Sequence, residues 1–287
     1  SGAGAVCAGQ PLQFGVAATG TGTLTYTWSG PNGFSSSAQN PSIASVNTAA
    51  AGSYTVVVSN GCGSAQQTIT VSVGASASAT IQYAGSPFCA SVAAVSVTRT
   101  GTTGGSYSAS PSGLTINTFN GNITPSSSTP GTYTVTYTVA AAGGCAAFTT
   151  TASVSIIAQP AATIAYTGSP FCTSAAAVSV TRTGTTGGTY TASPAGLSIN
   201  ASTGAITPSS STPGAYMVTY TVAATGGCTA FTTTANISIT AQPAATIAYT
   251  GSPFCTSAAA VSVTRTGTAG GSYTTSPAGL SVNASTG

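Results

Sequence analysis

Seven cysteines and three arginines carry nearly all the reactive or charged chemistry in this 287-residue chain, which contains no Asp, Glu, His or Lys. General acid–base catalysis needs a positioned proton carrier, and a nucleophilic Ser or Thr needs a base beside it. Neither requirement can be met here. Paired carboxylates for glycoside hydrolysis are missing. So are the oxygen ligands of a calcium site and the Cys-x-x-Cys or His pattern of a zinc site. The chain reads as a non-enzyme with no metal and no cofactor.

Cysteine oxidation to disulfides is the chemistry that remains. Cys7 and Cys62, Cys89 and Cys145, and Cys172 and Cys228 are separated by 55, 56 and 56 residues. The spacing pairs them in that order, one staple per structural unit, each from just before an early strand to just after a late one. Cys255 is left over, its partner expected beyond residue 287. Each loop of that length would stabilise a small domain by about 4 kcal/mol in the chain-entropy model. Disulfides point to an oxidising, extracellular compartment. A reactive-thiol role has little support, because thiolate activation needs a nearby cation, base or metal.

Arg99, Arg182 and Arg265 recur 83 residues apart. Each follows Val-Ser-Val-Thr, and strict alternation gives it the parity of Val95 and Val97, pointing its stem inward near a strand end. With no carboxylate in the chain, its partners are backbone carbonyls, solvent or a tyrosine face such as Tyr107. The alternative role is a repeated contact to a neighbouring domain or to an anionic glycan.

These residues ride on an internal repeat. Ser86-Pro87-Phe88-Cys89 recurs as Ser169-Pro170-Phe171-Cys172 and Ser252-Pro253-Phe254-Cys255. The organisation expected is a distinct module over 1–74, repeats over 75–157 and 158–240, and a truncated third repeat over 241–287. The short Pro-containing links at 157–161 and 240–244 favour a semi-rigid, extended array. Tyr133, Val135, Tyr137 and Val139 alternate with threonines, and Ala152, Val154 and Ile156 alternate with serines, as in half-buried strands. Gly-Gly, Ser-Pro and Asn120-Gly121 punctuate them. The fold class is therefore all-β, a tandem array of immunoglobulin-like β-sandwich domains. Tyr54, Tyr133 and Tyr216 each follow a Gly-x pair, as at the tyrosine corner of such sandwiches, and Trp28 falls where a core tryptophan would pack.

Charged residues are 1% of the chain, while 41% are hydrophobic. Three isolated arginines cannot displace enough counterions for nucleic-acid binding. No apolar run is long enough for a membrane-spanning helix. Asn122, Asn200, Asn236 and Asn283 match the N-glycosylation pattern, as chance allows in a chain this rich in Ser and Thr.

Residues 3–73, with Trp28-Ser29-Gly30-Pro31-Asn32-Gly33-Phe34 and Gly52-Ser53-Tyr54, resemble the PKD/Ig-like modules of large secreted Bacteroidetes proteins. The repeats, with Gly196-Leu197-Ser198-Ile199-Asn200 and Thr212-Pro213-Gly214-Ala215-Tyr216, resemble the cadherin-related Ig repeats of the same proteins. The resemblance implies a giant cell-surface adhesin of the gliding-motility kind, exported by type IX secretion. The expected partners are neighbouring repeats of the same chain, with surface glycans or like filaments as alternatives.

Overall fold

The computed structural model describes residues 4–287 and divides into two compact units. One runs up to Gln159 and takes in Thr225–Cys228; the other holds Pro160–Ala224 and Thr229–Gly287. Among the described residues all regular structure is β-strand apart from four three-residue 3-10 turns. The chain is all-β, a tandem array of immunoglobulin-like sandwiches.

The first unit contains two cores. Around the first, a five-stranded sheet runs in the order Ala5–Cys7, Gly63–Gly74, Gly52–Asn60, Thr25–Ser29, Ser35–Ser36, beside the pair Leu12–Gln13 and Ser42–Ile43. Phe14, Trp28, Tyr54, Val56 and Val71 fill it. Phe14 packs 4.6 Å from the Tyr54 ring and 5.3 Å from Trp28.

The second core lies between a four-stranded sheet, ordered Ser106–Ser110, Gly131–Val139, Phe148–Ile157, Phe88–Cys89, and the antiparallel pair Ala79–Gln82 and Thr98–Gly101. Alternation places Tyr133, Val135 and Tyr137 inward and their threonine neighbours outward. Val154 and Ile156, from the neighbouring strand of the same sheet, lie beside them in the core. Val95 and Val97 lie just outside a strand, Val95 held by an isolated bridge to Ile123.

The second unit repeats this plan. Its sheet runs Phe171–Cys172, Phe231–Thr240, Gly214–Val222, Thr189–Ser193, beside Ala162–Ala165 and Thr181–Gly184. Farther on, Ala245–Ala248 pairs with Thr264–Gly267.

Three tyrosine hydroxyls close the corner expected of such sandwiches. Tyr54 donates to the carbonyl of Ala50, Tyr133 to Thr129 and Tyr216 to Thr212, each four residues upstream. Tyr83 and Tyr166 are also buried, and each donates to a backbone carbonyl, of Gly121 and Gly204. Loss of solvent pushes both hydroxyls well above the ordinary phenol range.

Candidate functional site at the cysteine hairpins

In each core a tight turn joins the two longest strands, and a cysteine sits at it. Cys145 N–H donates to the Ala142 carbonyl at 2.9 Å, and Ala142 N–H returns a bond to Cys145 at 3.2 Å. Between them Gly143 and Gly144 both adopt positive φ, 59° and 81°. A two-residue turn of this hand matches strand twist and needs two residues free to enter the left-handed region, which is why the sequence is Gly-Gly. Thr225-Gly226-Gly227-Cys228 repeats the turn. In the first core the corresponding turn is Asn60-Gly61-Cys62-Gly63. There the Asn60 Oδ1 accepts bonds from the N–H groups of Cys62 and Gly63, at 2.9 and 3.1 Å. Cys62 lies within this turn, one place earlier than Cys145 or Cys228 in theirs.

The other cysteines sit at the opposite end of the same strands. Cys7 ends a short strand that runs parallel to Gly63–Gly74 and is in register with Gly74. Cys89 is in register with Ile157, and Cys172 with Thr240. The long strand between the two cysteine positions is 12 residues in the first core and 10 in each of the other two. At about 3.3 Å per residue this separates them by roughly 30 to 40 Å. A disulfide requires Cα atoms within about 7 Å. The spacing-based pairs Cys7–Cys62, Cys89–Cys145 and Cys172–Cys228 are therefore not formed, because the two cysteines of one sandwich lie at its opposite ends.

The bonds link successive repeats instead. Cys7 is joined to Cys145, with Cα atoms 4.6 Å apart, and Cys89 to Cys228, at 4.8 Å. Both bonds lie within the first unit, which includes the Thr225–Cys228 turn. Backbone contacts flank them. Gly74 N–H donates to the Gly143 carbonyl at 3.1 Å. A Cβ on Gly144 would collide with the Ala5 carbonyl, and one on Gly226 with the Ile157 side chain. The Gly-Gly pair thus both makes the turn and lets it approach its neighbour.

Cys62, Cys172 and Cys255 are free thiols. Cys172 is half-buried, and the hydroxyl of Ser174 donates to its sulfur at 3.2 Å. That hydrogen bond, the largest of several, holds its thiol below the ordinary cysteine value.

The arginines serve their own repeats. Arg99 Nη1 donates to the carbonyls of Gly101 and Thr102, at 3.2 and 2.8 Å, and its guanidinium lies over the Tyr137 ring, 5.5 Å from the centroid. The stacking partner is therefore Tyr137 and not Tyr107, whose ring packs 4.7 Å beyond it. The Tyr137 hydroxyl also donates to Thr102 and accepts from Gly105 N–H. Arg182 repeats the arrangement with Gly184, Thr185 and Tyr220. Arg265 reaches Gly267 and Thr268 and stays exposed. These side chains brace a loop, and Arg99 and Arg182 also lie near the Tyr107 and Tyr190 hydroxyls, where they offset part of the rise that burial causes.

Among the described residues there is no group of three or more His, Cys, Asp or Glu placed to hold a metal ion, and no helix long and apolar enough to cross a membrane. No protein-family model matches the chain, and no curated protein matches it. Solved structures with a similar course of chain are arrays of Ig domains. An I-band piece of titin aligns at a TM-score of 0.48 and 12% identity, over 84% of this chain and 95% of that one. The N-terminal eight Ig domains of the Down Syndrome Cell Adhesion Molecule align at 0.47 and 13%, over 84% and 36%. Extracellular domains 3–5 of Drosophila OTK align at 0.35 and 11%, over 84% and 95%.

Proposed function

We propose that the chain is a non-catalytic structural stalk of an extracellular adhesin or surface filament, built from modules over 1–74, 75–157, 158–240 and 241–287. The observation that carries this reading is the Cys7–Cys145 bond, which ties one sandwich to the next instead of stapling one sandwich to itself. A staple inside a domain protects that domain's fold. A bond between domains fixes their junction, and that serves an element whose task is to hold and present something else. The Cys89–Cys228 bond repeats the device.

Disulfides are stable in oxidising compartments, which supports an extracellular setting. The motif resemblance to repeats of Bacteroidetes gliding-motility adhesins supports a cell-surface protein exported by type IX secretion. A surface of Thr and Ser without carboxylates has little electrostatic dependence on ionic strength. The partners are then neighbouring repeats.

Two experiments on the purified oxidised chain test the reading. Sedimentation across a concentration series is expected to return a 27.2 kDa monomer throughout. Growth with concentration would overturn it in favour of a self-assembling filament subunit. A glycan array is expected to show no specific binding; a saturable glycan ligand would overturn it in favour of a binding module that uses its loops or the three arginines.

A further inference from the structure

We propose that a concavity beside Arg182 takes a carboxylate from outside the chain, and that its ligand is the Asp or Glu side chain of an acidic peptide. The concavity has a volume of about 300 Å³ and is lined by Arg182, Tyr190, Tyr220, Ser202 and the Gly187-Gly188 loop. It lies wholly within the second unit. The inference goes beyond the stalk reading, because it gives the stalk a docking point for a partner protein.

The polar side chains at the site have donors left over. Arg182 uses only Nη1 on its own loop, at the carbonyls of Gly184 and Thr185. Nε and Nη2 have no carbonyl acceptor among the described residues, and that edge of a guanidinium matches the two oxygens of one carboxylate. Tyr166, Tyr216 and Tyr220 each donate the hydroxyl proton to a backbone carbonyl, of Gly204, Thr212 and Thr185. Tyr190 is only 3% exposed and lines the concavity, yet it donates to no acceptor among the described residues. Its hydroxyl lies near the Arg182 guanidinium, which can only donate. A buried hydroxyl proton without an acceptor is costly, and a ligand oxygen arriving beside the guanidinium would remove that cost. Ser202, exposed, adds a hydroxyl with no partner. With no Asp or Glu in the sequence, the chain's own side chains hold no carboxylate to fill the site.

The same features choose among anions. One guanidinium balances one carboxylate, whereas a phosphate dianion would keep an uncompensated charge. A sugar acid would want an open aromatic face, and none is free here. The Tyr190 and Tyr220 rings pack on each other with centroids 4.6 Å apart, and the Arg182 guanidinium covers Tyr220. A Cβ on Gly187 would meet open space, so the loop leaves room for a peptide side chain to enter. The preceding repeat keeps the arginine and both tyrosines but has Phe119, 87% exposed, where Ser202 stands. That exchange removes a donor and adds bulk. Arg265 is exposed and lies over no aromatic ring among the described residues. Binding is therefore expected at Arg182 ahead of Arg99 and Arg265.

The test is amide NMR of the isotope-labelled full chain in a carboxylate-free buffer, titrated with acetyl-Gly-Glu-Gly-amide and, separately, with acetyl-Gly-Gln-Gly-amide. The glutamate peptide is expected to cause saturable shifts at Gly187, Thr189 and Ser202 that weaken as sodium chloride is added; the glutamine peptide is expected to cause none. Tyr190→Phe keeps the ring and removes the hydroxyl, and should weaken binding several-fold. Ser202→Phe installs the residue that the preceding repeat already accommodates, and should abolish binding. Amide shifts away from the site are expected to stay unchanged in both variants, which separates lost binding from lost fold. No shift with the glutamate peptide, or shifts that survive both variants, would overturn the proposal. Sodium sulfate acting as strongly as the peptide would overturn it in favour of an adventitious ion only, and tighter binding of methyl glucuronide would overturn it in favour of a sugar acid. The titration does not depend on self-association, so the stalk reading and the docking site can fail separately.

Discussion

Residues 162–204 and 245–287 are the same sequence but for four mild differences, yet they fold to different extents. In the first stretch Ile164 is 7% exposed and Phe171 8%. Their counterparts Ile247 and Phe254 are 56% and 44% exposed, and Leu280 is 69% exposed. The pairs Ala162–Ala165 with Thr181–Gly184 and Ala245–Ala248 with Thr264–Gly267 form alike. So do the short-range bonds, with Arg182 and Arg265 each reaching their own loop and Tyr166 and Tyr249 donating to Gly204 and Gly287. The strands Phe171–Cys172 and Thr189–Ser193 have no counterpart in the second stretch. Their ladders run to Phe231–Thr240 and Gly214–Val222, and no equivalent of those strands is among the 287 residues. Local sequence is thus enough for the nearby hairpin-like pair, its arginine brace and its tyrosine bond. The rest of the sandwich exists only where long-range partners supply hydrogen bonds and a second face to the core.

The sharpest break between the two stretches should come from the cysteines. Cys89→Ser releases the link that reaches Cys228 and is expected to cost up to about 5 kcal/mol in the chain-entropy model, whereas Cys255→Ser costs nothing measurable. Calorimetric melting of both variants checks this, and equal shifts would contradict it. Core truncation should separate the stretches next. Phe171→Ala is expected to lose about 3 kcal/mol or more and Phe254→Ala under about 1, because only the first leaves a cavity in a packed interior. Amide exchange across Gly214–Val222 reads the difference, and similar losses would mean Phe254 is packed after all. Smaller again is the hydroxyl pair. Tyr166→Phe removes a buried donor and is expected to cost about 1 kcal/mol, Tyr249→Phe less, by urea titration of each variant.

The smallest effect is a null one with a defined edge. With no Asp, Glu or His in the chain, stability is expected to be level between about pH 5 and 7. On the alkaline side, burial raises the Tyr83 and Tyr166 hydroxyls above their unfolded value. Their contribution is complete below about pH 10 and is lost as pH climbs through the folded values. A stability profile by denaturant titration that slopes through neutrality would break this.

Much of the sandwich could be read from alternation. The run from Tyr133 to Val139 forms its strand with the expected inward face, and the corner tyrosines form their bonds to backbone four residues upstream. Both signals are local. The cysteine positions were equally visible, but their pairing was not, because near-constant spacing within a repeat also produces near-constant spacing between repeats. One clue lay in the strand itself. Cys145 precedes a ten-residue alternating run, Phe148–Ile157, that ends beside Cys89. A strand that long holds its ends too far apart for a bond. Gly-Gly before Cys145 and Cys228 was a second clue, since it marks a turn tip and not a strand end. The arginine lies on the inward side with the backbone carbonyls its parity and lack of carboxylates call for, but its guanidinium lies over Tyr137, with Tyr107 beside it. Tyr137 comes from a strand 35 residues beyond Thr102, whose carbonyl both side chains share, and no local pattern carries that contact.

Non-reducing peptide mapping of the native 287-residue chain tests the central claim most directly. Cleavage at aromatic residues puts every cysteine on its own peptide, whereas cleavage at the three arginines would leave Cys7, Cys62 and Cys89 together. The expected map links Cys7 to Cys145 and Cys89 to Cys228, with Cys62, Cys172 and Cys255 alkylated. A map linking Cys7 to Cys62, Cys89 to Cys145 and Cys172 to Cys228 would contradict it and return each staple to the interior of its own repeat.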